Sequence, residues 1–130
     1  MLLMVVEMLK KKLGAEAIEW SWGSDFFKIP STLTIPDGCK RIGNSIFYNC
    51  TSLKEVIISE GCEEIGYKAF WGCARLKKVE IPKSVEIIKE WAFKNCSNAT
   101  IILKKPKEEF KGFGFDVFYD CKDVKEEIRS

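Results

Sequence analysis

Histidine is absent from the 130 residues. That removes the side chain that most often serves as a general base near neutral pH, a common metal ligand, and every Ser–His or Cys–His pair. Neither sign of charge is in excess: 21 Lys and Arg stand against 19 Asp and Glu, a net charge of +2. Nothing in that balance calls for a nucleic acid or an anionic membrane as partner. No apolar run approaches the ~18 residues that a membrane-spanning helix needs, so no membrane insertion is expected. Residues 1–9, MLLMVVEML, are apolar, but Glu7 interrupts them and Lys10, Lys11 and Lys12 follow them. A secretory leader has the reverse order, charge first. The segment reads instead as a short helix over about residues 1–13, stopped by Gly14.

What is present is a folded domain's composition, 46% apolar and 31% charged, with an internal repeat. Residues 35–57, 58–80 and 81–103 align without a gap at a period of 23, and a degenerate unit over 104–130 follows after a two-residue insertion near Lys104 to Lys107. The columns are apolar. Ile42, Ile65, Ile88 and Phe113 share one; Phe47, Phe70, Phe93 and Phe118 another; Cys50, Cys73, Cys96 and Cys121 a third. Leu53, Leu76, Ala99 and Val124 form the next, then Val56, Val79 and Ile102, and finally Cys39, Cys62, Val85 and Phe110. No single unit can bury so many apolar side chains alone, whereas stacked coils turn each column into a continuous ladder.

The pattern, with Ile-Pro, Ile-Gly, Ala-Phe, Cys and Leu recurring in order, resembles the BspA-type (Treponema pallidum-type) leucine-rich repeat from residue 33 to about 127. It departs from that repeat at Lys89, where Gly is expected, at Ala99, where Leu is expected, and most of all in the fourth unit. The resemblance implies an α/β fold class: a short right-handed leucine-rich-repeat solenoid of 23-residue coils, with one parallel strand per coil on its concave side. The alternation of Leu53-x-x-Val56-x-Ile58 and its next copy agrees with such strands. Thr32 to Ile35 reads as the same strand in a preceding coil. Residues 1–32 are then an N-terminal cap, the helix plus an aromatic segment with Trp20, Trp22 and Phe27, and residues 33–130 the repeats. The open ends of a solenoid offer surface for self-association.

Six cysteines invite a disulfide or zinc reading, but no CxxC occurs and all six fall in apolar columns. Neighbouring coils place stacked Cβ atoms about 4.8 Å apart, beyond the usual disulfide range. Buried free thiols are therefore preferred, with Cys39–Cys62 or the Cys50, Cys73, Cys96 column as the candidate disulfides. Three sequons, at Asn49, Asn95 and Asn98, each have a core-column residue in the middle, and turn composition accounts for them.

No nucleophile constellation is present, so no enzyme activity, catalytic residue, metal site or cofactor is expected. A protein partner is. One candidate surface follows the Phe column, where Tyr48, Trp71, Lys94 and Tyr119 should point outward if the chain is extended, with Tyr67, Trp91 and Phe115 nearby in register. The competing reading packs these aromatics over the loops. The other candidate is the outward strand face, with Thr34, Ile57, Glu80 and Ile101 in one column and Thr32, Glu55, Lys78 and Thr100 around them, so that two apolar residues, Ile57 and Ile101, are expected to face water. Such a face binds partners in repeat proteins, and β-branched residues there also simply suit strand packing. The repeat's resemblance implies a bacterial or protist surface protein that binds host or matrix proteins. An intracellular scaffold or effector-like binder is the alternative, favoured by free thiols and by the apparent lack of a leader. The compartment is thus cytoplasmic for a complete chain, and surface or secreted for a piece of a longer one.

Overall fold

A four-residue run with every second residue apolar can bury one side and wet the other, and the chain does this once per coil. The computed structural model describes residues 17–18, 31–35 and 37–128. Its longer strands are β2 (Thr32–Ile35), β4 (Glu55–Ile58), β6 (Lys78–Ile81), β8 (Thr100–Leu103) and β10 (Asp123–Glu126). They form one parallel sheet in the order β10-β8-β6-β4-β2. A second parallel sheet is built from two-residue strands: β1 (Ala17–Ile18), β3 (Arg41–Ile42), β5 (Glu64–Ile65), β7 (Ile87–Ile88) and β9 (Gly112–Phe113), in chain order. Every rung joins residues about one repeat apart, as in a solenoid.

The columns lie between the sheets. Ile42, Ile65 and Ile88 are fully buried, as are Phe47, Phe70 and Phe93, whose rings stack at 5.2 and 5.0 Å. Cys39, Cys62, Val85 and Phe110 are buried too. The third column does more than fill space. The thiols of Cys73, Cys96 and Cys121 donate to the carbonyls of Phe47, Phe70 and Phe93, each in the preceding coil, at 3.2, 3.1 and 3.2 Å. The repeat thus ties its Cys and Phe ladders together. All six cysteines are free thiols.

Several expectations need correction. The α/β class does not hold for the described residues, which contain no α-helix and one 3₁₀ turn, Lys107–Glu109. There are two parallel sheets where one strand per coil was expected, because a two-residue strand is too short to show a period-2 pattern. The helix over about 1–13 lies outside the described residues, as does the aromatic cap apart from Ala17–Ile18, which pairs with β3 as a rung of the second sheet.

The period is not gap-free either. Thr100 pairs with Lys78 and Ile101 with Val79, a step of 22. The third coil is one residue short in its turn after Ala99. Ile101 is therefore the buried partner of Val79, and Ile102 stands opposite Glu80 in the column that faces away from the core. Val124 likewise pairs with Ile101, in the strand column and not the Leu53 column, and is 40% exposed.

The last coil is longer: Ile88 pairs with Phe113, a step of 25. Its extra residues carry the 3₁₀ turn, anchored by Lys105. That side chain is buried, pairs with Glu86 at 2.9 Å, and lies 4.7 Å from the centre of the Phe110 ring. A buried ammonium needs such partners. Lys105 in turn holds the Glu86 carboxyl below its usual range.

Candidate functional site

Between each short strand and the next long one the chain makes consecutive turns, and these display the candidate aromatics. Two positions per coil adopt the left-handed conformation. One column is Ser45, Lys68, Trp91 and Asp116, with φ of 57°, 57°, 60° and 49°. The other is Asn49, Gly72, Asn95 and Asp120. Asn, Asp and Gly tolerate that conformation, which explains why Asn occupies two of the three sequon positions. The chain is turned here, not extended as expected. Tyr48, Trp71, Lys94 and Tyr119 face away from the core because they sit inside these turns.

Inter-coil bonds fix the turns: the N–H of Asn49 donates to Trp71 O at 2.7 Å, and that of Trp91 to Phe115 O at 3.1 Å. Tyr48 and Trp71 stack at 4.7 Å with their planes 5° apart. The Lys68 ammonium lies 5.1 to 5.9 Å from the ring centres of Trp91, Tyr67 and Tyr48. Lys94 lies 4.9 Å from Trp91 and 5.2 Å from Tyr119. The result is a ridge across four coils in which cations alternate with ring faces. Tyr119 and Phe115 are 57% and 67% exposed, whereas Trp71 and Trp91 are half-buried. Trp91 is not in register with Tyr67 and Phe115: it follows their column by one residue, and meets Tyr67 diagonally at 5.6 Å. Its buried indole N–H has no hydrogen-bond partner among the described residues.

On the long-strand sheet, Glu55 stands beside Lys78, and Ile57 beside Glu80. A shallow groove of ≈ 270 Å³ is lined by these four residues together with Glu60 and Lys104. Lys104 pairs with Glu80 at 2.8 Å and Glu127 at 2.6 Å, and those carboxylates, Glu127 first, hold its ammonium above the usual range. Ile57 is 47% exposed, but Ile102 in the same column is buried, so the face offers one apolar side chain and not the two expected.

The structure therefore gathers Tyr48, Trp71, Trp91 and Tyr119 on one ridge, and Glu55, Ile57, Lys78 and Glu80 on one strand face. The sequence reading missed Lys68, whose place in the ridge depends on its left-handed turn. Four of the thiols are held in their protonated form. Burial pushes Cys50 up to about 11 and Cys62 and Cys121 up to about 12, and hydrogen bonding with Cys96 together with burial raises Cys73. Among the described residues no cluster of metal-ligating side chains comes together, and no helix is long and apolar enough to cross a membrane.

Two parallel sheets, one rung per coil and ladders of Ile, Phe, Cys and Leu define a leucine-rich-repeat β-solenoid. The family model for the BspA type leucine-rich repeat region matches residues 26–129 in six copies, and the chain belongs to that family. No curated protein matches the chain. Among solved structures it is similar to the leucine-rich repeat protein of T. pallidum, with a TM-score of 0.61 and 22% identity over 84% of this chain and 56% of that one. It is also similar to the pneumococcal vaccine antigen PcpA, with a TM-score of 0.58 and 21% identity over 88% of this chain and 34% of that one. A leucine-rich cell surface protein from Faecalibacterium prausnitzii gives 0.53 and 20%, over 85% and 38% of the two chains. The chain thus spans little more than half the length of the first and about a third of the others. At these identities the likeness is one of fold.

Proposed function

We propose that the chain is a non-catalytic protein-binding module of the adhesion type, and that its contact surface is the aromatic and lysine ridge. The left-handed column carries the proposal. Asn, Asp or Gly would sit there with least strain, yet the two central coils use Lys68 and Trp91, at φ of 57° and 60°. A bulky residue in that conformation costs about 1 kcal/mol or more. These two side chains are also the ones that join the ridge together. Their presence at positions that the backbone disfavours supports a role for the side chains themselves. Rigid rings with ordered cations between them are suited to protein contact, since little side-chain entropy is left to lose on binding.

Binding to a panel of immobilised extracellular-matrix proteins tests the reading. The double variant Trp71→Ala with Tyr119→Ala should lose binding, and Ile57→Ser with Lys78→Glu should keep it, each with an unchanged circular dichroism spectrum. The opposite result moves the site to the strand face, and wild-type binding by both variants removes both candidates. The six free thiols favour a second reading, an intracellular scaffold. Recovery of the protein from the cytoplasmic fraction, and not from the cell surface, would select it.

A further inference from the structure

The third coil's missing residue has a consequence on the side of the solenoid where the chain enters the long strands. The position just before each long strand is Lys54, Lys77 and Lys122 in the second, third and last of these strands. Backbone bonds fix this column: Lys77 N–H donates to Lys54 O at 2.9 Å, Thr100 N–H to Lys77 O at 2.9 Å, and Lys122 N–H to Ala99 O at 3.0 Å. In the short coil the lysine's place in that column falls to the buried Ala99, and its neighbours Asn98 and Thr100 stand beside Lys54, Lys77 and Lys122. With Arg75 these residues line an open groove of ≈ 480 Å³. The groove has four cations and no carboxylate. None of the four makes an ion pair with a described residue. Of the neighbouring acids along the chain, Glu55 lines the strand-face groove and Asp123 pairs with Lys125 at 3.8 Å.

We infer that this groove binds an anionic polysaccharide, sulfated or carboxylated, laid along the solenoid axis. Successive coils rise by about 4.8 Å, so the cations recur at one and then two coil steps, a spacing on the scale of sugar units in an extended chain. Between them Asn98 and Thr100 supply neutral hydrogen-bonding groups suited to sugar hydroxyls. The Asn98 amide is held in place by donating to Ala74 O at 2.7 Å. Every lining residue is polar or charged, and none supplies the apolar anchor that a peptide contact is built around or the aromatic platform that single-stranded nucleic acid uses. A net charge of +2 and a pI of ≈ 8.2 are likewise unlike a nucleic-acid-binding domain.

The test is fluorescence anisotropy of a labelled heparin oligosaccharide with the wild-type protein and two charge-matched variants. Lys54→Glu with Lys77→Glu removes the groove's adjacent cations, and Lys40→Glu with Lys83→Glu changes two exposed lysines outside it. Wild type should bind at about 0.15 M salt, weakening with added salt in proportion to about three or four neutralised charges. The groove variant should bind at least about tenfold more weakly, with a shallower salt slope, while the other variant and a chemically desulfated oligosaccharide report the site and the group recognised. Equal losses in both variants, or no wild-type binding at that salt, overturn the inference. A labelled oligodeoxythymidine that binds as tightly as the heparin overturns the choice of polysaccharide.

Discussion

Replacing Phe70 by Ala probes the solenoid at its centre. The Phe70 ring is fully buried and stacks on Phe47 at 5.2 Å and on Phe93 at 5.0 Å, with interplanar angles of 19° and 6°. Phe to Ala in a core costs about 3–5 kcal/mol, from lost transfer energy plus the cavity left behind. Two features place this site at the upper end. Both faces of the ring lose a stacking partner, each worth about 0.5–1.5 kcal/mol beyond area. The neighbouring coils also cannot close the gap, because the inter-coil bonds Phe70 N–H to Ala92 O (2.7 Å) and Cys96 Sγ to Phe70 O (3.1 Å) hold their spacing. A loss of about 4–5 kcal/mol is expected, a large share of the 5–15 kcal/mol typical of a domain. Phe118 is the internal control. It is half-buried, with ring neighbours Phe93 at 5.9 Å and Phe113 at 5.5 Å, and its removal should cost about half as much. Urea melts followed by circular dichroism at 25 °C measure both. A loss below about 1 kcal/mol for Phe70→Ala, or an equal loss for Phe118→Ala, would refute the stacked-ladder account.

Three further outcomes are expected. Trp91→Asn exchanges backbone relief of about 1 kcal/mol for lost ring contacts, so stability should stay within about 1 kcal/mol of wild type while partner binding falls by at least about tenfold; a large stability loss with unchanged binding would make Trp91 structural. Gly66→Ala should destabilise by about 1–3 kcal/mol, because the new Cβ would lie 2.7 Å from Ile42 O and from the Asn44 side-chain oxygen, and a neutral substitution would show that these coils can part. The thiols make stability pH-dependent at the alkaline end. The unfolded chain ionises them from about pH 9, while the folded state keeps Cys50, Cys62 and Cys121 protonated to about 11, 12 and 12. Unfolding then releases protons, so this contribution is full below pH 9 and declines from there toward pH 12, and a urea midpoint that rises with pH across that window contradicts it.

The sequence alone determined the solenoid, its family and its core. Apolar residues recurring once per coil can be buried together only by stacking, so the Ile, Phe and Cys columns announce both the coil and its inside. It also indicated two plausible faces, because residues between apolar columns must go to the surface. It could not reveal the second sheet, whose two-residue strands carry no period of their own and form only because neighbouring coils offer them partners. Nor could it fix the register past Ala99: Ile101 and Ile102 are equally apolar and both buried, and only pairing with Val79 and Glu80 decides which one faces the core between the sheets. The same missing residue governs the lysine column, where Lys77 and Lys122 fall into line only after the gap is placed. Side chains far apart in sequence, such as Lys68, Tyr48 and Trp91, meet through left-handed turns whose φ is set by contacts between coils. Composition specifies which residues must be hidden, whereas the stacking of one coil on the next decides which of the remainder become neighbours.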